Sequence, residues 1–152
     1  DDNTLVHSTS YEIRDYLMGA LPAGRIMTHN PDNREQVLEE FKKSSSKPVL
    51  ISPSFDRGVD LPDDLCRCII VCKVPYLNLG DPQVKRRMEE EDGQQWYNLK
   101  AAQTLVQITG RGVRSPLDYC TCYILDAQFR RLLSRTKEIM PPWWLDAIKW
   151  NS

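Results

Sequence analysis

Leu65-Cys66-Arg67-Cys68-Ile69-Ile70-Val71-Cys72-Lys73-Val74 is a short, nearly unbroken apolar run led into by the polar, glycine- and proline-containing loop 54–64. Such a run reads as a strand buried on both faces, the kind that forms parallel sheets covered by helices. Toward the amino terminus, Pro48 to Ser52, Arg25 to Thr28 and Thr4 to His7 read as three more strands. A helix carrying Val37, Leu38 and Phe41 at helical spacing follows the Asn30-Pro31-Asp32-Asn33 turn and ends at Ser44-Ser45-Ser46. Another runs through Tyr11, Ile13, Tyr16, Leu17 and Leu21, with Ser8, Thr9 and Ser10 as candidate caps and Pro22-Ala23-Gly24 as its stop. Toward the carboxyl terminus, a turn at Asn78 to Asp81 puts Pro82 at the first position of a helix reaching Glu91. A longer helix runs from about Gln95 to Val113, Tyr119 to Leu125 is a last strand, and Asp126 to Arg135 a last helix. Strands alternating with helices predict an α/β domain, a parallel sheet in a three-layer α/β/α arrangement.

The 152 residues, 41% of them hydrophobic, suffice for one domain with its own core. Twenty lysines and arginines against 21 acidic residues leave a net charge of −1. That excludes a global basic field, so any nucleic-acid contact must be local. No apolar stretch approaches the roughly 20 residues that cross a bilayer, and the acidic start at Asp1-Asp2 is unlike a signal peptide. The expectation is an intracellular protein with no membrane partner. The five cysteines, Cys66, Cys68, Cys72, Cys120 and Cys122, sit in apolar runs without the wider C-x-x-C spacing of a metal knuckle. They read as core thiols, with strand alternation sending Cys66, Cys68 and Cys72 to one face, and Cys120 and Cys122 to one face.

The segment Gln107-Ile108-Thr109-Gly110-Arg111-Gly112-Val113-Arg114 carries the most chemistry. Gln107, Arg111 and Arg114 fall at i, i+4 and i+7, one face at the end of a helix interrupted by Gly110 and Gly112. Two guanidinium forks and an amide on one face suit a polyanion, the plainer alternative being a solvated basic face. The segment resembles motif VI of superfamily 2 helicases, Gln-x-x-Gly-Arg-x-x-Arg, at all four fixed positions. Ser54-Phe55-Asp56-Arg57-Gly58-Val59-Asp60-Leu61-Pro62 resembles motif V of the XPD-like and DinG-like helicases, with Arg57 where that group often has an acidic residue. Leu5 to Tyr11 is similar to motif IV. Lys73-Val74-Pro75-Tyr76, Asp81-Pro82, Asp118-Tyr119, Leu125-Asp126 with Phe129, and Pro142-Trp143-Trp144 extend the likeness over nearly the whole chain.

The resemblance implies a RecA-like, P-loop NTPase-type domain: the second motor domain of an ATP-dependent DNA helicase. ATP and Mg2+ would be shared with a first RecA-like domain. It implies that Arg111 and Arg114 act as arginine fingers on the γ-phosphate, the logic worth about three to five powers of ten in other nucleotide hydrolases. Gln107, Gly110, Gly58 and Asp60 would line the nucleotide, Asp60 being otherwise a loop cap. Single-stranded DNA would be held by Ser8, Thr9 and Ser10 after the first strand and by Ser52 and Ser54 after the third, residues that by themselves read as caps and turns. The group's iron–sulfur cluster belongs to an insertion in the other motor domain, so it is expected in the parent chain if anywhere and not among these cysteines. A cytoplasmic, nucleoid-associated or nuclear place follows from DNA as the partner.

No phosphate loop is present, since Gly19 to Gly24 is followed by Arg25-Ile26 rather than Lys and a hydroxyl residue. Glu89-Glu90-Glu91-Asp92 reads as a solvated helix end and not as an acidic box. The segment alone is therefore expected to be inactive. His7 and His29 give hydrolase triads little support. Lys85-Arg86-Arg87 and Arg130-Arg131 are candidate backbone contacts or solvated faces, and Trp143, Trp144 and Trp150 are expected to pack the terminus onto the core. The rival reading is a non-catalytic RecA-like docking or regulatory module, against which the set Gln107, Arg111 and Arg114 argues.

Overall fold

The computed structural model describes residues 2–54, 61, 63–113 and 118–150. They form two compact units: Asp1–Lys73 with Gln107–Asp126, and Val74–Val106 with Ala127–Ser152.

The first unit is built on five parallel strands among the described residues: β1 (Thr4–His7), β2 (Ile26–Thr28), β3 (Val49–Ser52), β4 (Cys68–Val71) and β5 (Thr121–Ile124), in the spatial order β2-β3-β1-β4-β5. Helix α1 (Tyr11–Ala20) connects β1 to β2 and α2 (Arg34–Lys43) connects β2 to β3, because parallel neighbours need crossovers. Register places Leu5 beside Leu50 and Ile69, a row of fully buried side chains through the sheet centre. Val37, Leu38 and Phe41 of α2 are buried as their spacing predicts.

The central run departs from its expectation. Only Cys68–Val71 is strand, and it alternates, with Ile69 and Val71 buried and Cys68 and Ile70 partly exposed. Arg67 is the physical reason for the late start. Its guanidinium pairs with Asp118 and with Asp64 at 3.0 Å and donates to the Tyr119 carbonyl at 2.8 Å. A charge in an apolar run must find partners or leave, and here it finds them at the strand entrance. Cys66 therefore lies ahead of β4, Cys72 beyond it and Cys120 ahead of β5, so strand alternation does not govern these three. Only Cys66 is fully enclosed, while the other four thiols are partly exposed.

In the second unit, α3 (Pro82–Met88) starts with Pro82 at its first position and is capped by Asp81, which accepts from the Gln83 and Val84 amides. It stops before Glu91. Arg87 folds onto Asp92 through two bonds of 2.6 and 2.7 Å and lies over the Trp96 ring. Of the basic triad, only Lys85 and Arg86 are left exposed. Tyr76 stacks on Tyr97, whose hydroxyl donates to the Leu77 carbonyl at 2.8 Å. Helix α5 (Gln128–Thr136) buries Phe129 and Leu132, and the short α6 (Pro142–Asp146) buries Trp144 against Phe129, edge to face. Trp150 meets Phe129 and Arg130 yet stays 51% exposed, and Trp143 stays 63% exposed, so of the three tryptophans expected to pack the terminus onto the core only Trp144 is buried.

Helix α4 (Gly93–Thr109) belongs to the second unit until Val106 and to the first from Gln107. It ends four residues before the expected boundary at Val113. Gly110–Gly112 form a 3-10 turn and Val113 is extended. The helical face expected for Gln107 and Arg111 is therefore broken after Thr109, at the first of the two glycines expected to interrupt it. Two glycines in three positions remove the side chains that would favour another α-turn.

Candidate nucleotide and nucleic-acid site

The residues singled out by the sequence collect at the two opposite ends of the sheet. At the amino end, the turn after α4 lies against the entrances of β4 and β5. A Cβ on Gly112 would stand 2.6 Å from the Cys120 Cβ and Sγ and 2.8 Å from the Cys66 carbonyl oxygen. Only hydrogen fits there, and this close approach pins the turn that carries Arg111. The Cys122 thiol donates to the Thr109 carbonyl at 3.4 Å and holds the preceding residue of the same chain stretch. Gly110 has open space beside it, Gln107 is exposed, and Arg111 is half-buried.

Beneath this turn the thiols form a cluster. The side-chain interactions of Cys120 with Cys122 and Cys66, with the nearby Arg67 guanidinium, pull the Cys120 thiol well below its ordinary value. The same interactions, followed by burial, push Cys66 and Cys122 up. Among the described residues, no group of three or more His, Cys, Asp and Glu side chains is placed to hold a metal ion.

At the carboxyl end, β1 delivers Ser8, Thr9 and Ser10. Cys72 donates its amide to the His7 carbonyl and Ser8 donates to the Ser52 carbonyl, at 3.0 and 2.9 Å, so the pairing runs past the strand ends. The Ser8 hydroxyl donates to the Ser10 carbonyl, the Thr9 hydroxyl to the Ser8 carbonyl, and the Ser10 hydroxyl caps α1 by accepting from the Ile13 amide. Thr9 sits at φ 62°, in the left-handed region that a β-branched residue seldom enters. Such strain costs about 1–3 kcal/mol and persists only where surrounding bonds impose it. Here the Ser8 hydroxyl spans the strained residue.

Ser52 closes β3 and is fully buried, as is Ser8. Thr9, Ser10 and Ser54 keep part of their surface open. The Ser52 hydroxyl is bound to Nε2 of buried His29 at 2.6 Å and accepts from the Ser54 amide at 3.2 Å. Arg34 reaches the Ser54 carbonyl at 3.4 Å, and Arg14 reaches the His29 carbonyl at 2.9 Å. Sequence reasoning gave His29, Arg14 and Arg34 no part in this site. Nothing in their spacing signals a partner 23 residues away. Gly58, Asp60 and Arg114, together with Arg57, lie outside the described residues.

The chain order also separates the two ends. The chain leaves β1 toward β2 on one side and leaves β4 toward β5 on the other, so β1 and β4 flank the topological switch point. In open parallel sheets ligands lie beyond the carboxyl ends of the strands at such a point. That is the end carrying Ser8, Thr9 and Ser10. Among the described residues no helix is long and apolar enough to cross a membrane.

Comparison with known proteins agrees with this architecture. The chain is 36% identical over 116 residues to the regulator of telomere elongation helicase 1 homolog of Drosophila willistoni, covering 65% of this chain and 12% of that protein. It is 26% identical over 132 residues to the general transcription and DNA repair factor IIH helicase subunit XPD of Dictyostelium discoideum, covering 79% of this chain and 17% of that one. It thus spans less than a fifth of the curated relatives it matches. An apo XPD structure superposes with a TM-score of 0.67 at 22% identity, over 90% of this chain and 31% of that one. The S. tokodaii Xpd4 structure superposes at 0.61 and 23% identity, over 90% of this chain and 28% of that one. The sheet is therefore that of an XPD RecA-like domain. The family model described as helicase C-terminal domain matches residues 1–147, and the chain belongs to that family.

Proposed function

We propose that this chain is the second motor domain of an ATP-dependent DNA helicase, completing an ATP site with one end of its sheet and gripping single-stranded DNA with the other. The observation that carries the reading is the turn Gly110–Gly112, held by close packing so that Arg111 is presented from a fixed backbone. A guanidinium fork on rigid backbone is what a developing phosphoryl charge requires. Among the described residues no atom lies within 4 Å of where a Gly110 Cβ would stand, and Gln107 and Arg111 are a donor set that fits the phosphates of a nucleotide.

In this reading Arg111 and Arg114 stabilise the transferring phosphoryl group, Gln107 senses it, and Gly58 and Asp60 approach the nucleotide from the loop after β3. Magnesium, which supplies charge neutralisation at the phosphates, is held by the first motor domain. At the carboxyl end, Thr9, Ser10 and Ser54 offer hydroxyls and backbone amides to DNA phosphates without reading sequence. Ser8 and Ser52 act one layer beneath, holding those loops in shape. The two ends are separated by a four-residue strand, roughly 13 Å. Work on DNA places the parent protein in the nucleus or nucleoid.

The test is ATP hydrolysis by the full-length parent protein, with and without single-stranded DNA, for the natural sequence and Arg114→Ala. DNA-stimulated turnover that collapses in the variant while ATP still binds supports the motor. No turnover in either protein supports a non-catalytic docking module instead.

A further inference from the structure

Resting on the motor reading above, we infer that His29 is a positioning residue for DNA, acting through Ser52 to fix the loops that meet the phosphates. The argument begins with a tautomer. His29 Nδ1 lies 3.0 Å from the Asn30 carbonyl oxygen, which can only accept, so Nδ1 carries the proton. Nε2 of the neutral ring is then an acceptor, and the partner 2.6 Å away is the Ser52 hydroxyl. Ser52 therefore donates to His29, and its oxygen is left facing the Ser54 amide, which donates to it at 3.2 Å. One orientation of one buried hydroxyl satisfies all three groups.

The consequence reaches both DNA-facing loops. The Ser52 carbonyl accepts the Ser8 amide at 2.9 Å, at the root of the Ser8-Thr9-Ser10 loop. The Ser52 hydroxyl holds the Ser54 amide, at the root of the loop after β3. Both loop roots thus meet at Ser52, the first through its backbone carbonyl and the second through the side chain whose rotamer is chosen by His29. Ser52 is fully enclosed and His29 is 2% exposed, so water does not substitute for the missing partner. The imidazole is itself anchored, since Arg14 of α1 donates to the His29 carbonyl at 2.9 Å. The ring lies beneath the loops, so its contribution belongs to DNA affinity and not to the phosphoryl step at the opposite end.

The experiment uses the full-length protein and reads the single-stranded DNA concentration that gives half-maximal ATPase stimulation, separately from turnover at saturating DNA. His29→Phe fills the same space without an acceptor. It is expected to raise the half-saturating DNA concentration about tenfold, the scale of one lost buried hydrogen bond, while saturated turnover stays within about twofold. His29→Gln, whose amide oxygen can accept from Ser52, recovers most of the loss. Ser52→Ala removes that bond together with the acceptor of the Ser54 amide and must raise the half-saturating DNA concentration at least as much, which covers the case in which the aromatic variant fails to fold. Adding His29→Phe to Ser52→Ala must cost nothing further.

Unchanged DNA dependence overturns the inference, as does a glutamine variant no better than phenylalanine. So does a fall in melting temperature with the DNA concentration unmoved, which is the mark of a structural histidine. If the natural protein shows no DNA stimulation at all, the motor reading fails and the relay is read by hydrogen exchange at the Ser54 amide. Protection lost in His29→Phe keeps the relay, and unchanged protection ends it.

Discussion

At the carboxyl end of the sheet the backbone is held by direction: Ser52, His29, Ser54 and Ser8 each have a donor facing an acceptor. At the amino end it is held by volume: Gly112 fits because Cys120 and the Cys66 carbonyl leave room for a hydrogen and nothing more. A hydrogen-bonded loop can turn about its root and still recover its bonds, which suits a surface that grips and releases a polymer. A turn clamped by excluded volume has one position, which suits a guanidinium that must meet a phosphoryl group at fixed distance. On the proposed motor reading, the two ends differ in kind because they are asked for different tolerances.

That contrast breaks most visibly at Gly112. Gly112→Ala places a carbon against a side chain and a backbone carbonyl that cannot retreat, and overpacking of this sort costs about 1–3 kcal/mol. The melting temperature should fall by several degrees, and Cys120→Ala in the same chain should restore only part, because it removes the sulfur but leaves the Cβ at position 120 and the Cys66 carbonyl. Gly110→Ala, with open space around it, sharpens the comparison two residues away. It should leave the melting temperature nearly unchanged and show its effect in nucleotide affinity alone.

At the other end, Ser10→Ala removes the cap of α1 and should cost about 1 kcal/mol. Because the Ser10 hydroxyl is also one of the part-open groups proposed to meet DNA phosphates, single-stranded DNA affinity should fall with it; a melting shift without an affinity shift would reduce Ser10 to a helix cap.

The smallest effect belongs to the second unit. The Arg87 guanidinium, hydrogen-bonded to Asp92, holds that carboxyl below its usual range. A depressed folded value means the pair's stabilisation is complete above the ordinary carboxylate range and is lost as pH falls through the depressed value. Arg87→Met should therefore lower the melting temperature slightly at neutral pH and not at all in strong acid. Because Asp92 is exposed and Arg87 only half-buried, a large shift would contradict the weakness expected of surface pairs.

Much of this was legible in the sequence. β1, β3, α1 and α2 lie within a residue or so of the boundaries their periodicity and caps imply, because local signals and tertiary packing agree there. The run 65–74 was over-read as strand since hydrophobicity does not reveal that Arg67 would be retained by Asp118, 51 positions away. The long helix was over-read through Gly110 because the polar pattern of Gln107 and Arg111 continues the helical period, while the two glycines end it. At the candidate site, motif spacing named Gln107, Gly110 and Arg111, yet it gave no sign of Cys66 and Cys120 beneath the turn. His29 was invisible for the same reason. Its partner is brought beside it only when β2 pairs with β3.

The most direct test of the account is ATP turnover by the full-length protein carrying Arg111→Lys, measured at saturating single-stranded DNA alongside ATP affinity. Lysine keeps the charge and loses the planar fork. The account predicts that turnover falls about a thousandfold, the lower bound for an arginine finger, while ATP still binds. Turnover equal to that of the natural sequence would contradict it, because the turn held by Gly112 would then present Arg111 to nothing that reacts.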